Sequence, residues 1–572
     1  MINTKEYSNF IWAVADNLRG DYKQSDYGKV ILPLTVIRRL DCVMADTKDK
    51  VLEQYEKIKN KNLDDPDLLL NKTAGYKFHN HSKYNFTKLI ADPDNIKSNL
   101  RTFLNGFSQE AQDILEHFDF DKQVTKLDKA DLLYQIIKRF EEIDLHPKKV
   151  SNLEMGYIFE ELIRKFAEVS NETAGEHFTP REVIKLMVNL LFSNDSEILS
   201  KKGIVKTLYD PACGTGGMLT VAEDYLNELN PDSRLELFGQ EINPESYAIC
   251  KSDMLITGHN AEHIKYKDTL REDLLRDNKF DYMLSNPPFG VKWSKAEKEV
   301  KKEYEELGFS GRFGAGLPSI SDGSLLFLQT MIAKMKSANG GSRIGIVFNG
   351  SPLFTGNAGS GPSNIRKWII ENDMLEAIVA LPDQLFYNTG ISTYIWIVTN
   401  RKEPNRKGKV QLINAVEFYK KMSRSLGNKR NEISDEDIDR ITKIYGNFKE
   451  GKYSKIFDNE DFGYYQITVE RPERDGNGNV VVDKKGNPKP DSSLRDTENV
   501  PLNEDIQEYF EREVKPHVPD AWIDESKTKI GYEINFTRYF YEFKPLRLLD
   551  EITKDILDLE KETSGLLKEI LS

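Results

Sequence analysis

Cysteine is scarce: three in 572 residues, Cys42, Cys213 and Cys250, with no metal-ligand spacing and no pairing pattern. That excludes a disulfide-stapled fold or a Cys-built metal site and favours a reducing, cytoplasmic setting. No stretch approaches 18 apolar residues, which excludes a membrane span by hydropathy. The opening MINTKEYSNFIWAVAD lacks the basic-then-apolar order of a signal peptide. Basic charge is not in excess either, since 93 Asp and Glu against 80 Lys and Arg give a net charge of −13. Such a chain does not grip nucleic acid over its whole surface, so any contact of that kind needs a local basic face or a basic partner. Repeats of solenoid type are missing too.

What is present describes a globular protein of two to four domains, with 39% apolar and 30% charged residues over a length beyond one ordinary core. Residues 1–165 have helical periodicity and few glycines, with apolar faces at Phe10, Ala13, Val14 and Leu18 and along 30–44. They predict a helical domain with polar loops at 60–67 and 119–130.

The α/β part runs from 166 to 420. Strands are predicted at 204–209, 235–240, 280–285, 343–348, 376–381 and 392–399, with helices at 217–228, 244–257, 324–337 and 363–371. Alternation of this kind gives a mostly parallel, Rossmann-like sheet covered on both faces. Two Gly-rich loops, 308–323 and 356–364, are exposed insertions or mobile covers.

Residues 421–545 read as an extension. Lys420, Lys421, Arg424, Lys429 and Arg430 form a basic run, a solvated face or a nucleic-acid contact, and Ser434 with Asp437 predicts a capped helix over 435–445. RPERDGNGNVVVDKKGNPKPDSSL predicts a hairpin or flexible excursion from its turn pairs. Over 546–572, Leu549, Ile552, Ile556, Leu559, Thr563, Leu566 and Ile570 alternate three and four apart, a heptad seam for docking on another helix or on the protein's own body.

Four stretches carry the chemistry. In GEHFTPREVI, Thr179 as N-cap, Pro180 at the first helical position and Glu182 three residues after the cap predict a helix start whose free N–H groups suit a carboxylate. In YDPACGTGGM, a strand ends at Asp210 and opens into Gly214, Gly216 and Gly217. The loop lacks the Lys-Ser/Thr ending of a P-loop and the GxGxxG spacing of a dinucleotide site. Alone it fits a dinucleotide, a nucleoside triphosphate or S-adenosylmethionine. Glu241 then ends a second strand, where a carboxylate accepts from both ribose hydroxyls, and Asp268 follows a third, where it accepts from an adenine amino group.

The fourth stretch is SNPPFG. Its prolines end the strand and stiffen the turn. An exocyclic amino group on an aromatic base is a poor nucleophile; Asn286 Oδ1 and the Pro287 carbonyl can accept its two N–H bonds and direct its lone pair. Phe289 offers a stacking face worth roughly 1–3 kcal/mol. Such a site needs neither a metal nor a covalent nucleophile.

HFTP, DPACGTGG, QEIN, KDTL and NPPFG, in this order behind a helical domain, resemble the modification (M) subunit of type I restriction-modification systems, a gamma-type N6-adenine DNA methyltransferase. Similarity extends to 380–400, 429–438 and 531–541. The resemblance implies that Asp210, Gly214, Thr215 and Gly216 contact S-adenosylmethionine, with Glu241 on its ribose and Asp268 near its adenine. It places His177, Phe178, Thr179, Pro180 and Arg181 at the methionine end, and the catalytic turn at Asn286, Pro287, Pro288 and Phe289. It further implies double-stranded DNA with a flipped adenine as substrate, a specificity subunit, a restriction subunit and a second copy of the chain. Two other readings stay open, a protein glutamine amide methyltransferase and a catalytically silent scaffold that binds cofactor and DNA.

Overall fold

The computed structural model describes residues 4–170, 179–193, 195, 200–337, 340–387, 389–542 and 549–571. It divides into two compact units, Met1–Ile534 and Asn535–Ser572. The first begins with helices from Thr4–Asn17 to Asn152–Ser170. Helix Gly28–Met44 is buried along nearly its whole length, so the other helices pack around it. The segment expected as a polar loop at 119–130 is the helix Phe120–Lys129, which buries Phe120, Val124 and Leu127. Their four-and-three spacing is helical, and the surrounding charge hides it.

Fifteen strands follow among the described residues, of which the first eleven are β1 Val205–Asp210, β2 Arg234–Glu241, β3 Ile264–Tyr266, β4 Tyr282–Ser285, β5 Arg343–Asn349, β6 Leu375–Ala380, β7 Thr393–Thr399, β8 Lys409–Asn414, β9 Lys420–Leu426, β10 Lys429–Glu432 and β11 Ser454–Asp458; the last four make a separate sheet. Nine of them form one sheet in the order β11-β8-β6-β7-β5-β4-β1-β2-β3. β1 pairs in parallel with both β2 and β4, while β7 runs antiparallel to β5 and β6. From β1 the order proceeds one way to β3 and the other way to β5, so the C-terminal ends of β1 and β4 flank a topological switch point, where open α/β sheets bind their ligands.

The sheet continues past residue 420, because β11 pairs with β8. Helix Asp435–Asn447, capped by Ser434 as its sequence predicts, lies between them in the chain. β9 and β10 stand apart as a two-stranded ribbon. Residues 471–491 fold into successive tight turns in which Asp475 and Asp483 each accept from two backbone N–H groups. The unit Asn535–Ser572 holds the helix Leu549–Leu571. On it Leu549, Ile552, Ile556 and Leu559 are exposed; the side chains of Leu566 and Ile570 lie outside the described ones.

Candidate active site

Asp210 closes β1, Glu241 closes β2 and Ser285 closes β4, so three polar side chains meet at the switch point. Asp210 is buried, and its Oδ1 accepts from Ala212 N (2.9 Å) and Ser285 Oγ (2.8 Å). Burial outweighs both bonds and pushes its carboxyl up to about 7, with the nearby Glu241 acting in the same direction.

The turn after Asp210 folds as its glycines require. Gly214 (φ 54°) and Gly216 (φ 87°) take left-handed conformations. A Cβ on Gly216 would also stand 2.8 Å from Cys250 Sγ. Gly214 N donates to Glu241 Oε2 (2.7 Å), while Glu241 Oε1 accepts from Ile242 N (2.9 Å) and Asn243 N (2.7 Å). Burial still raises the Glu241 carboxyl against these three donors. Helix Gly217–Leu229 then starts at the cavity's edge.

A cavity of about 190 Å³ opens here. Of the residues expected from the sequence, it brings together Thr179, Asp210, Gly214, Thr215, Glu241, Asp268, Asn286 and Pro288. Asp268 follows β3 as expected and accepts from Leu270 N (3.0 Å). Gly216, Pro180, Arg181, Pro287 and Phe289 do not line the cavity, and His177 and Phe178 lie outside the described residues. Phe289 is buried, its ring edge-on to Phe386 at 6.4 Å between centroids.

The helix start near Thr179 differs from the expectation. The helix is Arg181–Phe192, with Pro180 as its N-cap and no side-chain cap bond. Thr179 is thereby one residue outside the helix and faces the cavity. Glu182, expected to close a capping box, instead forms a close ion pair with Lys429. A buried ammonium from 247 residues away is the stronger partner for a carboxylate than a local N–H.

Glu160, on helix Asn152–Ser170, lines the same cavity and was not legible from sequence. Its Oε1 pairs with Arg181 Nη2 at 2.9 Å, both side chains being 9% exposed. A Cβ on Gly217 would come within 3.1 Å of that oxygen, and one on Gly156 within 2.5 Å of Arg181 Nη2, so both glycines leave room for the pair. Arg181 also lines a small second cavity of about 20 Å³ with Arg39 and Asp253. No periodicity signals Glu160, because one carboxylate on an amphipathic helix usually faces water.

Among the described residues, four carboxylates, from Glu160, Asp210, Glu241 and Asp268, thus surround one concave site with a single ammonium, Lys267. Ile242 adds an apolar side chain, 58% exposed at that edge. The donor set fits a cationic ligand with a ribose and a base. Among the described residues no cluster of His, Cys, Asp or Glu could hold a metal.

This sheet order with its cavity at the switch point defines a Rossmann-like α/β ligand-binding protein. Residues 151–474 match the family model for N-6 DNA methylases, and residues 7–140 match the HsdM N-terminal domain. The chain belongs to the N-6 DNA methylase family. It is 28% identical over 465 residues to the type I restriction enzyme MjaIX methylase subunit of Methanocaldococcus jannaschii, covering 78% of each chain. It is 30% identical over 296 residues to the HindI methylase subunit of Haemophilus influenzae, covering 51% of this chain and 59% of the relative. The crystal structure of a type I restriction-modification methyltransferase subunit from Streptococcus thermophilus superimposes with a TM-score of 0.62 at 24% identity, over 80% of this chain and 97% of that one. The fold is therefore shared across the helical and α/β parts.

Proposed function

We propose that this chain is the modification subunit of a type I restriction-modification system. It transfers a methyl group from S-adenosylmethionine to adenine N6 in double-stranded DNA, at a sequence chosen by a separate specificity subunit. The observation that carries this reading is a single cavity lined both by the Gly-rich turn with Glu241 and Asp268 and by Asn286 with Pro288. The net charge of −13 supports division of labour with a DNA-reading partner. A restriction subunit and a second copy of this chain complete the assembly. Co-expression with the neighbouring specificity subunit and mapping of N6-methyladenine in the host genome test the reading; methyl groups found on protein glutamine instead would sink it.

S-adenosylmethionine, when bound, supplies an electrophilic methyl on a sulfonium. Glu241 would hold the ribose, Asp268 and Ile242 would hold the adenine, and Thr179 and Glu160 would meet the amino-acid end. Asn286 Oδ1 and the Pro287 carbonyl accept from the target amino group and orient its lone pair. Phe289, buried edge-on against Phe386, backs this turn and does not present the open stacking face expected from the sequence.

Two predictions arise from the carboxylates. Asp210, raised to about 7, is protonated below that pH when no cation is bound. Its folded value exceeds the unfolded one, so its contribution to stability falls as pH rises from about 4 to about 7. A cation in the cavity favours the ionised form. Affinity for S-adenosylmethionine should therefore drop as pH falls below about 7, with less change for uncharged-sulfur S-adenosylhomocysteine. Calorimetry of both ligands across that range checks it, and equal pH slopes would refute it. Glu160→Gln should weaken S-adenosylmethionine about tenfold, a typical loss for a charge-assisted bond. Binding of 5′-methylthioadenosine, which lacks the amino-acid end, should not change; equal losses for both ligands would make Glu160 merely structural.

A further inference from the structure

We propose that the β9–β10 ribbon is a DNA-backbone clamp beside the target-base pocket, an assignment that rests on the methyltransferase reading above. Between Glu417 and Glu432 the chain has no carboxylate, yet it carries Lys420, Lys421, Arg424, Lys429 and Arg430, in a protein of net charge −13. These residues form a two-stranded sheet unattached to the nine-stranded one. Lys420, Lys421, Arg424 and Arg430 are exposed. Lys420 reaches Glu436 at 3.4 Å; among the described residues, Lys421, Arg424 and Arg430 have no ion-pair partner. A narrow ribbon of like charges repels itself and gains from an anionic partner.

The turn and second strand of the ribbon supply the location. Lys429 is buried, with Nζ donating to Leu385 O and Asn431 O, each at 3.0 Å, besides its ion pair with Glu182. Asn428 N donates to Tyr387 O (2.8 Å), Arg430 N to Gln384 O (2.9 Å) and Asn431 Nδ2 to Asp383 O (2.8 Å). Gln384 is thereby held at φ 58°, a left-handed conformation rare for a non-glycine residue. The next residues but one bring Phe386 against Phe289 of the catalytic turn. The turn and the β10 edge of the ribbon are thus fastened to residues 383–387, next to Phe386, and β9 pairs alongside β10 from Leu426 to Lys420.

The ligand this suits is the phosphate backbone. A duplex presents one charge per about 1.7 Å of axis, and Ser423 and Ser425 add hydroxyl donors between the cations. The ribbon would hold the duplex next to the extruded base and contribute affinity without choosing sequence.

The test uses the complex with the specificity subunit and the triple variant Lys421→Gln, Arg424→Gln, Arg430→Gln. Anisotropy of a labelled cognate duplex is measured against salt. The slope of log K on log salt should become shallower by about 0.9 for each lost phosphate contact, up to about 2.7 per copy. Calorimetric affinity for S-adenosylmethionine should not change, and methylation should recover at low salt. An unaltered slope overturns the proposal, and so does loss of the specificity subunit from the purified variant, which would make the ribbon a protein contact. A parental complex that methylates no DNA would sink the methyltransferase reading itself; an unaltered slope in a complex that does methylate sinks only the ribbon.

Discussion

Asn286→Ala, assembled with the specificity subunit, is expected to lose methylation by roughly 10²–10³-fold or more, the scale for removing one positioned polar group at a reacting centre. Its affinity for S-adenosylmethionine should stay near the parental value. The asymmetry follows from where Asn286 sits. It begins the turn after β4, three strands along the sheet from β3, which Asp268 follows. The proposed cofactor contacts lie at the ends of β1, β2 and β3, and Asn286 belongs to none of these strands. Single-turnover methylation with calorimetry on the same preparation separates the two quantities. Methylation at the parental rate would remove Asn286 from the catalytic role.

Truncation after residue 545 is expected to leave a folded, cofactor-binding protein that no longer co-purifies with the specificity subunit. The helix Leu549–Leu571 belongs to the separate compact unit Asn535–Ser572, so the α/β core does not need it. Leu549, Ile552, Ile556 and Leu559 are 80%, 40%, 59% and 60% exposed along one seam. Fully burying such side chains is worth about 1.5–3 kcal/mol each. Four of them on a partner helix would contribute much of a stable docking energy, even after ordering costs. Pull-down through the specificity subunit, with a melting curve and a cofactor titration of the truncated chain, checks all three clauses. Retained co-purification would return the helix to a role within the chain itself.

Much of the α/β architecture and one half of the site were legible because their signals are local. β1, β2, β5, β6 and β7 begin and end within a residue or so of their predicted limits. Gly214 and Gly216 take the left-handed turns their loop demands, and Ser434 caps the helix it precedes. These rules act over a few residues, through φ limits, missing N–H groups and side chains that reach the next turn. The expected helix start at Thr179 failed within the same range, because Glu182 is taken by Lys429.

By itself, then, the sequence determined the order of strands and helices, the carboxylates at the ends of β1 and β2, and the turn at Asn286. Tertiary structure alone decided that Glu160 from the helical domain enters the cavity. It also turned Lys429, one member of a basic run, inward as a staple, left its neighbours exposed, and buried Phe289 against Phe386. The physical reason is range. Whether a Lys or Glu faces water or pairs in the interior depends on partners tens to hundreds of residues away, and on desolvation that only the packed chain imposes.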